Sequence, residues 1–138
     1  MEDFIRETHS GLRWLVMLST LIALVWLSFG LVRKRAYDKR THQVMVVFSS
    51  LIGLQWIIGI VFLIVLGVFD EGYIWEHLTT MTIALAVAHM YLPFKRRPDK
   101  LRYQVGLAVL VGVAVLVFIG VARLPVGWEQ FDFSLYNS

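Results

Sequence analysis

The sequence predicts an all-α protein, a four-helix transmembrane bundle of up-down topology with both termini on the outer side. Two observations carry this expectation. Hydrophobic residues make up 58% of the 138 residues, and the charges gather in short stretches between long apolar runs. A soluble helical domain spreads charge along the outer face of each helix, so lipid contact explains this pattern better than water contact. The length is that of one domain, 1–138, and the mean hydropathy of +0.69 agrees.

Four runs are long enough to cross a hydrocarbon core about 30 Å thick, which takes about 20 helical residues. The first is 12–32. The segment before it, Met-Glu-Asp-Phe-Ile-Arg-Glu, is acidic where a secretory signal is basic, and no small-residue cleavage site follows; the run is expected to be retained. The second, 44–69, is longer than a crossing needs and should tilt or protrude. The third, 75–94, is the least apolar, and Pro93 and Pro98 bracket its inner end, where proline ends a helix cheaply. The fourth is 105–124, followed by an aromatic, acidic tail at 125–138, expected on the outer surface or against a partner. Short connectors make sequential helices antiparallel neighbours. Ser49, Gly53, Ala108 and Gly112 are the small residues expected at close helix contacts.

Loop charge sets the orientation. Arg33, Lys34, Arg35, Lys39 and Arg40 separate the first two runs; Lys95, Arg96, Arg97, Lys100 and Arg102 separate the last two. The middle connector region carries Asp70, Glu71 and Glu76 and no basic residue. By the positive-inside rule both basic loops are cytoplasmic, so the termini and the acidic loop face out. Trp14, Tyr73, Trp75 and Trp128 then fall near the outer boundary, where amphipathic rings prefer to sit.

Composition also excludes. No cysteine is present, which removes disulfides, zinc-thiolate sites, iron–sulfur clusters and covalent c-type heme. The net charge of +3 reads as a topology signal, so no nucleic-acid partner is expected. There is no phosphate-binding glycine loop and no metal-protease motif. The serines of the first two runs have no base beside them for nucleophilic catalysis.

The third run holds the polar groups: Glu76, His77, Thr79, Thr80, Thr82 and His89. Polar residues at membrane depth are costly and face a bundle interior or a site. His9, before the first run, and His77, at the start of the third, reach the outer boundary at the same level. His89 lies about 18 Å deeper at 1.5 Å per residue, and His42 lies at the inner boundary. Two imidazoles at one level on different helices can ligate one iron from opposite sides. Arg13, one turn after His9, shares its face if the helix reaches back that far, and a guanidinium matches a propionate carboxylate. Gly11 would let a flat ring approach the backbone, and Glu76 could bond another imidazole or a quinone hydroxyl. Histidines at an interface also simply bond headgroups and water. His89 is rotated about 120° from His77, so the two need not share a site, and a hydrogen bond to a neighbouring helix accounts for it as well as ligation does.

At these residues the chain resembles a group of small bacterial four-span membrane proteins described as cytochrome b-like. The matching stretches are Thr8-His9-Ser10-Gly11-Leu12-Arg13-Trp14, Gln55 with Gly59, Glu76-His77 followed by Met81, Ala88-His89, and Arg123-Leu124-Pro125. The resemblance implies a bacterial inner membrane location, heme b and electron transfer. One departure matters: such proteins carry a histidine two residues before the glutamine, and this chain has Gly53 there. An inner heme held through that position would lack a ligand here, whereas a pair made of His9 and His77 would remain.

Three readings follow. The first is a b-type cytochrome-like electron carrier with heme b between His9 and His77, exchanging electrons with a quinol or an outer-side redox partner, and not an enzyme by itself. The second is a cofactor-free accessory subunit packed against other membrane subunits of a respiratory or photosynthetic complex. The third is a quinone or lipid pocket around Glu76, His77 and nearby tryptophans. A proton relay lacks the midplane carboxylate such relays use.

Overall fold

The computed structural model describes residues 2–67 and 69–122, and these form four α-helices: α1, Glu2–Val32; α2, Lys39–Leu66; α3, Gly72–Ala88; and α4, Asp99–Ala122. A single 3-10 turn, Leu92–Phe94, lies between α3 and α4. The tail at 125–138, the Arg123-Leu124-Pro125 motif and Trp128 lie outside the described residues.

The helix ends have local causes. α1 starts ten residues before its apolar run, because the polar first turns remain helical with their charges exposed. It closes in a Schellman turn: Lys34 takes φ 53° and the Arg35 amide donates to Gly30 O at 2.9 Å. Asp38 caps α2, its carboxylate accepting from the Thr41 amide at 3.0 Å. Gly67, at φ 66°, ends α2 in the left-handed conformation that glycine adopts without a side-chain penalty. α3 stops at Ala88, six residues before the end of the predicted run. Pro93 explains this, since its ring conflicts with the carbonyl four residues back, that of His89, and it has no amide to donate. α4 begins immediately after Pro98.

α1 packs on α2 and α4, and α3 packs on the same two, so the helices form a four-membered ring with α1 diagonal to α3. Cross-contacts make every neighbouring pair antiparallel. Trp26, late in α1, donates to Thr41 at the start of α2 at 3.0 Å; Trp56 of α2 donates to Thr82 of α3 at 3.0 Å. Tyr103, early in α4, reaches the far end of α1 and donates to Ala36 O at 3.1 Å.

The core sits in the half nearest the basic loops. Leu27, Met45, Phe48, Leu110 and Val113 are fully buried there, with Tyr37, Tyr91 and Tyr103 closing that end. Its closest approaches are at Gly30, where a Cβ would run into the Tyr103 ring, and Gly106, where it would meet Leu27 Cδ2 at 2.5 Å. Of the small residues expected at contacts, Ser49 is buried, Gly53 and Gly112 are half-buried, and Ala108 is exposed.

The outward surface is apolar: Leu15, Leu18, Leu21, Ile22, Val25 and Phe29 of α1 are all at least half exposed. Three helices, α1, α2 and α4, are long and apolar enough to cross a membrane. α3, at 17 residues, spans about 25 Å and is shorter than the predicted third run.

Candidate functional site

The end of the bundle away from the basic loops gathers residues from all four helices. α1 extends back through His9, so His9 and Arg13, four residues apart, share one face and both are half-buried. α2 brings Gln55, Gly59 and Phe62 beside them. The Gln55 side-chain amide donates to the His9 carbonyl at 2.9 Å. That carbonyl lies in the first helical turns, where the side chain ties α1 to α2 across the bundle. The His9 ring packs on Phe62, with centroids 6.0 Å apart, and its Cε1 lies 3.4 Å from where a Cβ on Gly59 would sit.

α3 brings His77 to this end, half-buried against α4. Its Nδ1 lies 2.9 Å from Gly120 O. A carbonyl only accepts, so Nδ1 carries the proton, and the neutral ring directs the lone pair of Nε2 elsewhere. This is the arrangement in which a backbone carbonyl orients a ligating imidazole. Gly120 is buried, and a Cβ there would collide with Met81 and come within 3.4 Å of Thr80 Cγ2 and 3.7 Å of His77 Nδ1. Each histidine thus packs beside a glycine of a flanking helix.

His9 and His77, on the diagonal helices α1 and α3, lie within electrostatic range of each other, and Arg13 lies within range of both. The buried hydrogen bonding here is incomplete. His9 Nδ1 and Gln55 Oε1 are both buried with no hydrogen-bond partner. Native interiors leave few such atoms, and each calls for a ligand, an ion or a water. The same end lacks the dense apolar packing of the other half, whose buried cluster reaches only to Val16 on α1.

The other sequence-predicted residues are placed differently. Gly11 is exposed, with nothing within 4 Å of a Cβ built on it. Two residues on a helix lie about 200° apart, so it faces away from His9. Gly59 and Gly120 provide the close approach instead. Glu76 is exposed at the start of α3, and its backbone carbonyl accepts from Thr80 Oγ1 at 2.8 Å. His89 is the exposed C-cap of α3, its Nδ1 bonded to Leu85 O of its own helix at 2.9 Å. Gly53 of α2 faces Leu85, one turn before His89, its Cβ position 3.8 Å from Leu85 Cδ1. Thus Gly53 and His89 stand near one level, while His89 serves its own helix end.

Gly120 was not singled out by sequence reading. Its signal is the buried carbonyl it offers and the absence of a side chain beside His77, and neither is visible without the fold. Among the described residues no group of three or more His, Asp or Glu side chains could hold a metal ion. A heme, whose porphyrin supplies four nitrogens, asks the protein for two axial donors only. No known protein family, no curated protein and no solved structure matches this chain.

Proposed function

We propose that this chain is a multi-pass protein of a bacterial inner membrane that carries one heme b between His9 and His77 and passes electrons near the outer face. All four helices cross the bilayer, α3 completing its crossing through the turn at Leu92–Phe94. The basic loops lie on the cytoplasmic side and both termini outside.

The observation that carries this reading is the unsatisfied polar end of the bundle. His9 Nδ1 and Gln55 Oε1 are buried without partners at the level where His77 presents an oriented imidazole. The residues fit the group in chemistry. His9 and His77, on diagonal helices, would hold the iron through their imidazoles, Gly59 and Gly120 let the two rings lie close against the flanking helices, and Arg13 would pair with a propionate.

When bound, heme supplies a one-electron couple whose potential depends on axial ligation and burial. The chain's own residues have defined tasks. Gly120 O holds the proton of His77 on Nδ1, which keeps Nε2 a donor. Gln55 fixes the turn of α1 that bears His9. Phe62 excludes water from one side of the His9 ring. In this reading the chain is a carrier or subunit exchanging electrons with a quinol or with other membrane subunits.

The test is a reduced-minus-oxidised absorption spectrum of the detergent-purified protein. A six-coordinate b-type spectrum is expected, unchanged in His89→Ala. A spectrum without any heme signal overturns the reading and leaves the accessory-subunit alternative.

A further inference from the structure

The outward face of α1 is not smooth. Leu21, Ile22, Val25, Trp26 and Phe29 line an open groove of about 400 Å³, and Arg35 closes its loop end. The five α1 residues recur at helical spacing, so the groove runs about 12 Å along the axis, close to the depth of one leaflet's hydrocarbon. Its walls are held. The Trp26 indole donates to Thr41 Oγ1 at 3.0 Å, and that hydroxyl donates to Asp38 Oδ1 at 2.9 Å. Phe29 lies under the Arg33 guanidinium, 5.3 Å from its ring centre. Arg35 is brought over the groove by the Schellman turn at Lys34, through its amide bond to Gly30 O.

An apolar groove of this length facing hydrocarbon matches an extended acyl chain. Its polar end decides which lipid. No acidic residue lines it, and Asp38, the nearest carboxylate in sequence, is engaged by Thr41. Arg33 and Lys34 adjoin Arg35 at the same turn and are exposed. Of these three, Arg35 alone lines the groove, and one cation at headgroup level favours anionic lipid by about 1 kcal/mol near a charged surface.

We propose that this groove binds one anionic phospholipid from the leaflet on the basic-loop side, its acyl chain along Leu21 to Phe29 and its phosphate on Arg35. The proposal rests on the membrane reading above and is independent of heme.

Native mass spectrometry of the whole protein in neutral detergent, with phosphatidylglycerol or phosphatidylcholine at equal ratio, tests it. Wild type is expected to retain phosphatidylglycerol about fivefold over phosphatidylcholine, the ratio one cation at the headgroup supplies. Arg35→Gln should lose that preference. Val25→Trp, which fills the groove and keeps every charge, should lower retention of both lipids. Arg97→Gln, an equal charge loss on the other basic loop, should leave the preference unchanged; far-UV circular dichroism verifies helix content in each variant. Equal retention of the two lipids overturns the proposal. So does an Arg97→Gln effect as large as that of Arg35→Gln, which means a diffuse surface, or displacement of the lipid by equimolar inorganic phosphate. A chain that stays soluble and monomeric without detergent overturns the membrane reading and this site together.

Discussion

Residue chemistry decides most at two places, one at each end of the bundle. At the basic-loop end, the Thr41 hydroxyl is buried and used twice, accepting from Trp26 and donating to Asp38. Thr41→Val keeps the shape and removes both bonds. The expected loss is about 1–2 kcal/mol, the usual cost of stranding a donor, read as a lower denaturation midpoint in detergent. Asp38 gives the same corner its pH dependence. The Thr41 amide and hydroxyl hold its carboxyl below the usual range. A depressed folded pKa means the stabilisation is full above the ordinary aspartate value near 4 and is lost as pH falls through the lower folded value. Melting of wild type is therefore expected to weaken more steeply below about pH 4 than melting of Asp38→Ala. At the other end, His9, Arg13 and His77 were legible from type and spacing alone. Gly120 was not, because a backbone carbonyl beside an imidazole leaves no trace in residue identity. Gly11, two residues after His9, stands about 200° round the helix from it and is exposed.

The elements were legible in kind and less so in extent. The four apolar runs each fall on one of the four helices, three of them long and apolar enough to cross a membrane, yet hydropathy reports where the chain is apolar and not where it is helical. α1 therefore starts earlier than its apolar run, and α3 ends at Ala88 although the apolar run goes on to Phe94. The α1 terminus makes a prediction of its own. Lys34 holds the left-handed position of a Schellman turn at φ 53°, a conformation that costs a non-glycine residue about 1 kcal/mol. Lys34→Gly is expected to raise the denaturation midpoint, with a gain of roughly 0.5–1 kcal/mol after the loss of one helix-end cation. Pairing of α1 with α4 is sensitive where the Tyr103 ring lies against Gly30. Gly30→Ala puts a methyl into the Tyr103 ring, which is fixed by its bond to Ala36 O and its edge contact with Tyr37, 5.0 Å between centroids. Because that ring cannot swing aside, a cost of about 1–3 kcal/mol is expected, seen as a lower midpoint with helix content retained before melting.

At the scale of the whole molecule, packing and polarity are divided between the two ends. The basic-loop half has a dense apolar core capped by tyrosines, with Thr41 and Ser49 buried in it and His42 Nδ1 buried without a partner at its edge; the opposite half brings two histidines, a glutamine and an arginine together, with His9 Nδ1 and Gln55 Oε1 buried without partners. The antiparallel ring was readable from short connectors. That α1 and α3 are diagonal, placing His9 and His77 across the bundle with Gly59 and Gly120 on the flanking helices, required the fold.

Heme content per chain, measured by pyridine hemochrome on purified protein, tests this account most directly. One heme per wild-type chain is expected, with His9→Ala and His77→Ala each reducing it to near zero while circular dichroism stays helical. Wild-type protein without heme, or full content in either variant, would contradict it.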